Sequence, residues 1–92
     1  MSSTSPFVAD RIKARLMAAF SPVSMELIDE SASHAGHAGY KPGGESHFRL
    51  TIAAAAFDGK SRLERQRMVN QALEEELADI HALRLTVRGA EE

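Results

Sequence analysis

The apolar pattern of this 92-residue chain predicts an α+β domain in the order α-β-β-α(α)-β, a three-stranded mixed sheet with its helices packed on one face. Three observations carry that reading. A 3.6-residue apolar period near the N-terminus gives way to a period of two after Pro22; a helix-start signature stands at Ser61; and a period of two returns after His81.

The first helix is read from Val8, Ile12, Leu16 and Ala19 or Phe20, which recur at i, i+4, i+8 and i+11 or i+12 along one stripe. Ser5 is expected to cap it, with Pro6 at the first helical position. Ser21-Pro22 ends it, because the residue before a proline is pushed out of the α region. The same stretch begins Ser-rich and carries Arg11, Lys13 and Arg15 against one acid, Asp10, a composition shared with organelle transit peptides. A chain this short can hardly spare the stripe from its core, so the segment is assigned to the domain.

Val23, Met25 and Leu27 alternate with Ser24 and Glu26 and read as a half-buried strand ending near Glu30. A second strand covers about Ser46–Ala54, with Phe48, Leu50, Ile52 and Ala54 on one face. Consecutive strands usually pair antiparallel. Residues 31–45 between them are rich in Gly, Ala, Ser and His and include the breaker Pro42-Gly43-Gly44. A connection of about 15 residues is longer than common hairpin loops, and loops of that length are often functional.

Phe57-Asp58-Gly59 makes a turn, and Ser61-Arg62-Leu63-Glu64 matches a capping box. The serine hydroxyl accepts from the Glu64 N–H while the Glu64 carboxylate reaches back to the serine N–H. Helix is expected to about Ala78, with Val69, Ala72, Leu73, Leu77 and Ile80 on one face; a separate short helix is placed at its opening turns. His81–Arg88 is the third strand, with Leu83, Leu85 and Val87 on one side and Arg84, Thr86 and Arg88 on the other. A strand–helix–strand return is normally a right-handed crossover, which makes this strand parallel to the second. No internal repeat is present. The chain reads as one domain over residues 1–92, with an ordered core of about 6–88.

Composition excludes several functions. Eleven basic and thirteen acidic residues leave a formal charge of −2, and the isoelectric point near 6.1 argues against global polycation binding to nucleic acid, whose footprint is a domain value above about 9. Cysteine is absent, which excludes disulfides, thiolate catalysis, CxxC redox chemistry and cysteine zinc sites. No apolar run approaches the roughly 18–20 residues needed to span a bilayer. Tryptophan is absent, and Phe and Tyr are few, so platforms for stacking bases are scarce. A bacterial cytoplasmic location is the simplest expectation.

Two groups of side chains carry possible chemistry. The first is the histidines. His34-Ala35-Gly36-His37 sits in the glycine-rich loop, where two imidazoles three positions apart can meet one metal ion; on its own, that spacing is a weak signal. His47 opens the second strand and is read as a hydrogen-bonded structural histidine. His81 stands where helix gives way to strand, where an imidazolium would suit a helix C-terminus and an imidazole would serve as a ligand; spacing leaves both readings open. The second group is Lys60, Arg62, Arg65 and Arg67 around one acid, Glu64, with the acids Glu74, Glu75, Glu76 and Asp79 downstream. This polarity opposes the helix dipole, so the arrangement needs a cause outside helix stability. A positive patch at a helix start attracts phosphate or an acidic partner surface. Gly59-Lys60-Ser61-Arg62 stands where a KH module would carry its Gly-x-x-Gly clamp, without the second glycine. Catalysis has little support: there is no nucleophile elbow and no Gly-rich phosphate loop, a small hydrolase would rest only on the histidine count, and the chain is read as a non-enzyme.

These residues together resemble the BolA family. The resemblance rests on Ile28-Asp29-Glu30-Ser31 and the His34 loop, Gly44-Glu45-Ser46-His47-Phe48-Arg49 and Phe57-Asp58-Gly59-Lys60-Ser61-Arg62. It continues through Arg65-Gln66-Arg67-Met68-Val69-Asn70, Glu75-Glu76-Leu77 and His81-Ala82-Leu83, in family order from about Val8 to Val87. Gln66 departs from the family's usual His, and the chain ends in a shorter tail than many members have. The resemblance implies an α-β-β-α-α-β fold similar to class II KH domains. It implies partnership with a monothiol glutaredoxin around a shared [2Fe-2S] cluster, in iron–sulfur or iron homeostasis, with His81 and the loop residue His34 as ligands and His37 as the alternative loop ligand. It also implies a regulatory role on duplex DNA, through Lys60, Arg62, Arg65 and Arg67. The zero cysteine count adds that the chain holds no such cluster alone: such clusters take mostly thiolates, which a partner must supply.

Overall fold

In the computed structural model, which describes residues 7–30 and 47–91, α1 (Val8–Phe20) is followed by β1 (Ser24–Asp29), β2 (His47–Ala53), a 3-10 turn (Ala55–Phe57), α2 (Arg62–Ala72), α3 (Glu74–Leu77) and β3 (Ala82–Arg88). The α+β class and the mixed three-stranded sheet expected from the sequence are both found. The strand order is β1-β2-β3. β1 and β2 are antiparallel, with Leu27 opposite Leu50; β2 and β3 are parallel, with Leu50 level with Leu85.

That register puts Phe48, Leu50 and Ile52, all at 0–1% exposure, in the middle of one face. Leu83, Leu85 and Val87 flank them from β3, and Met25 and Leu27 from β1. The helices cover this face: α1 contributes Val8, Ile12 and Leu16, and the α2–α3 segment contributes Val69 and Leu73. Phe20 reaches the Phe57 ring at 4.7 Å and closes α1 over the 3-10 turn. The apolar stripes read from the periodicity are thus the stripes that the core uses. Val23 is the exception: it is 65% exposed, because the strand proper starts one residue later and Val23 pairs only through its N–H to Ala53 O at 2.8 Å.

The helix ends differ in part from expectation. Phe7 holds the cap position of α1 without a side-chain hydrogen bond, and the Ser5-Pro6 pair lies outside the described residues. The far end is as expected: Ser21 leaves the helix in the left-handed region at φ 46°, before Pro22, its N–H donating to Met17 O. Ser61 caps α2 with both halves of the capping box present, Glu64 N to Ser61 Oγ at 3.1 Å and Ser61 N to Glu64 Oε1 at 2.8 Å. The separate short helix lies at the distal end of this segment, not at its opening turns. Leu73, at φ −104° and ψ 17°, breaks the rod between α2 and α3.

This break explains the acidic run that seemed to oppose the helix dipole. Glu74, Glu75 and Glu76 begin a new turn and do not end the long helix. They also face α1. Arg11 pairs with Asp79 at 2.9 Å, and Arg15 pairs with Glu75 and with Glu76, the latter at 3.1 Å with its carboxylate 1% exposed. The Glu76 hydrogen bond and charge, with Glu75 behind them, push the Arg15 pKa further up. A buried carboxylate is costly unless paired, so this pairing fixes how α1 lies against α3.

Candidate functional site

The first site stands where β2 and β3 begin. Parallel pairing sets His47 level with Ala82, and His81 is the residue just before, in the bend that leads into β3. The two imidazole rings lie 5.1 Å apart, centroid to centroid, tilted by 48°. His47 is 9% exposed and His81 is exposed. α3 ends at Leu77 and takes its cap from Ala78, so His81 lies beyond the helix terminus and beside another histidine. Periodicity could not reveal this neighbour of His81: His47 reads in sequence as an ordinary strand residue, and only the strand register brings the rings together. His34 and His37 lie outside the described residues.

The face of the sheet away from the helices carries Arg49 and Arg84 side by side. Like charges directly opposite are destabilising, and Glu30 relieves them, 3.3 Å from Arg49 and 3.8 Å from Arg84. This arrangement borders the histidine end of the sheet, since Glu30 N also donates to His47 O at 2.7 Å.

The second site is a groove of about 640 Å³ between α2 and β3. Lys60, Arg62, Arg65 and Gln66 line one wall, and Leu83, Leu85 and Val87 belong to the other. Gly59, at φ +73° with nothing within 4 Å of an added Cβ, turns the chain so that Lys60 and the start of α2 meet the groove. Of the four cations read together from the sequence, Lys60 and Arg62 are exposed at its mouth, and Arg67 is exposed on α2 outside it. Arg65 differs. Its Nε donates to Phe57 O at 3.1 Å and its Nη1 to Val87 O at 3.2 Å, both partly buried. Its guanidinium thereby ties α2 to the 3-10 turn and to β3.

Among the described residues no group of three or more His, Cys, Asp and Glu side chains could hold a metal ion, and no helix is long and apolar enough to cross a membrane.

The profile of the BolA-like protein family matches residues 16–92, most of the chain and every element from the end of α1 onward. The chain belongs to the BolA family. Among curated relatives, the DNA-binding transcriptional regulator BolA of Escherichia coli is 42% identical over 79 residues, covering 85% of this chain and 71% of the relative. BolA-like protein 1 of Mus musculus is 44% identical over 78 residues; the match covers 84% of this chain but only 54% of the mouse protein, so the chain spans about half that relative's length. Among solved structures, the BolA domain of SufE1 from Arabidopsis thaliana superposes with a TM-score of 0.80 at 34% identity, over 97% of this chain and 98% of that one. The BolA fold thus occurs both as a separate chain and as a domain of a larger protein.

Proposed function

We propose that this BolA-family chain is a non-enzymatic adaptor that pairs with a monothiol glutaredoxin and lends imidazole ligands to a [2Fe-2S] cluster the two proteins share. One observation carries the reading: His81 stands exposed at the end of the sheet, next to a second imidazole, in a chain with no thiolate of its own. The donor set suits such a site. Two histidines on one iron with thiolates on the other is the Rieske pattern, and here every thiolate would come from outside this chain. An imidazole that replaces a thiolate carries no negative charge and is lost on protonation, so this half of the site would release its share more readily than the thiolate half. His34, with His37 as the alternative, is the loop ligand in this reading.

The test is co-purification with a monothiol glutaredoxin, followed by visible absorption and circular dichroism of the pair. His81→Ala is expected to alter or abolish the cluster spectrum and His34→Ala to change it. Unchanged spectra in both variants reject the ligand assignment.

A second reading, regulation through duplex DNA by a KH-like basic groove, is favoured by Lys60 and Arg62 at the mouth of the α2–β3 groove and by the similarity to the DNA-binding transcriptional regulator BolA of Escherichia coli. Scarce aromatics leave phosphate contacts as its basis.

A further inference from the structure

We propose that the outer edge of β3, beside the α2–β3 groove, docks an extended acidic segment of a partner protein, which pairs with it as a fourth strand. β3 is the last strand of the sheet, so one side of its backbone has no neighbouring strand. The register decides which residues face that side. Ala53 and Arg88 are level, and Ala54 N donates to Arg88 O at 3.1 Å, so the backbone groups of Arg88 point toward β2. Alternation along the strand then turns Ala82, Arg84 and Thr86 to β2 as well, and turns the N–H and C=O of Leu83, Leu85 and Val87 outward. Arg65 agrees with this from the other side: its Nη1 reaches Val87 O at 3.2 Å and closes that end of the edge. Among the described residues, the backbone groups of Leu83 and Leu85 and the Val87 N–H meet no such partner. A row of this kind is a template for another strand.

Charge selects the occupant. Successive side chains of an incoming strand point alternately into the groove and onto the helix-free face of the sheet. Both directions end at cations: Lys60 and Arg62 line the groove, Arg84 and Arg88 stand on the open face, and all four are exposed. The neighbouring acids are already engaged, Glu64 in the Ser61 cap and Glu30 between Arg49 and Arg84. A second copy paired β3 to β3 about a two-fold axis would bring both sets of Arg84 and Arg88 onto one face, where like charges repel. A DNA phosphate can meet Lys60 and Arg62, but it donates nothing to the outward carbonyls of Leu83 and Leu85. An acidic peptide satisfies both demands: its backbone completes the ladder, and its carboxylates meet the cations on either side. The inference goes beyond the shared-cluster reading, because it uses neither histidine nor cluster.

The test titrates a capped peptide of alternating glutamate and valine, about eight residues long, into the nitrogen-15-labelled chain and follows amide exchange with solvent. In the chain alone, the amides of Arg84 and Thr86 are expected to exchange slowly and those of Leu83 and Leu85 quickly. Saturating peptide is expected to slow Leu83, Leu85 and Val87 at least about tenfold. The same peptide with lysine for glutamate is expected not to bind. Lys60→Glu combined with Arg62→Glu is expected to weaken binding at least about tenfold, and Arg67→Glu less than about twofold. All three positions are exposed, and circular dichroism checks the fold of each variant; the exchange pattern of the unaltered chain decides on its own if a variant fails to fold. The proposal is overturned if no saturable binding is reached at millimolar peptide, if the lysine peptide binds as tightly, or if bound peptide leaves the edge amides exchanging quickly. A short DNA duplex that binds where the peptide does not assigns the groove to nucleic acid. Edge amides that slow as the chain alone is concentrated assign the edge to a second copy. Either outcome also overturns it.

Discussion

Replacing Arg65 with methionine keeps most of the side-chain stem and removes the guanidinium that fastens α2 to two other elements. Its Nε and Nη1 donate to the carbonyls of Phe57 and Val87 at 3.1 and 3.2 Å. A hydrogen bond to a charged group contributes about 1.5–3 kcal/mol. Both bonds are longer than the roughly 2.7–2.9 Å of the strongest charge-assisted kind, and the freed carbonyls can regain some water, so the lower end applies. The pair together is then worth about 2–3 kcal/mol, which for a domain of this size lowers the melting temperature by roughly 10–20 °C. Arg65→Lys is expected to recover only part of this, because one ammonium cannot present the planar fork to two carbonyls. Arg67→Met, at an exposed position of the same helix, is expected to stay within about 0.5 kcal/mol of the parent. Urea denaturation is the assay, read as a shift of midpoint at unchanged slope. If Arg65→Met and Arg67→Met unfold together, the tether does not hold α2, and the structural role assigned to Arg65 is wrong.

The other expectations concern a cap, a helix end and the basic groove. The Glu64 carboxyl is held below its ordinary value of 4.5, chiefly by the Ser61 backbone N–H, with the charges of Lys60 and Arg67 adding and burial opposing. A carboxyl whose folded value is depressed contributes stability above its unfolded value and loses it as pH falls through the folded one. The advantage of the parent over Glu64→Gln is therefore expected to be level at neutral pH and to fade below 4.5; a gap independent of pH contradicts this. Ser21 occupies the left-handed region at φ 46°, where glycine escapes the Cβ penalty, so Ser21→Gly is expected to add about 0.5–1 kcal/mol. A lower melting temperature for that variant would argue against the cap geometry. If duplex DNA binds along α2, Lys60 and Arg62 at the mouth of the groove and Arg67 on the helix outside it supply three phosphate contacts and a log–log salt slope of roughly −3. Each of the three, changed to alanine, is expected to reduce the slope by about 0.9, and a flat response to salt removes the DNA reading.

The helices, strands and inward faces of this protein are largely legible in its sequence because they are local properties. Val8, Ile12 and Leu16 mark a helix by spacing alone, and Ser61 with Glu64 announces a helix start within four residues. Phe48, Leu50 and Ile52 declare which side of β2 is buried. Zero cysteines likewise decided, with no structure at all, that any thiolate ligand must come from another molecule. What spacing along the chain could not settle depended on which distant segments meet. The register of β2 against β3 brought His47 to His81. The packing of α1 on α3 turned an acidic run that seemed to fight the helix dipole into the partner of Arg11 and Arg15. The closure of α2 over the 3-10 turn and β3 took Arg65 out of the row of cations and spent its donors on backbone carbonyls. Periodicity and capping act over a turn or two, whereas a buried ion pair, a tethered guanidinium and a pair of imidazoles exist only once burial of the common core has chosen one arrangement of the whole chain.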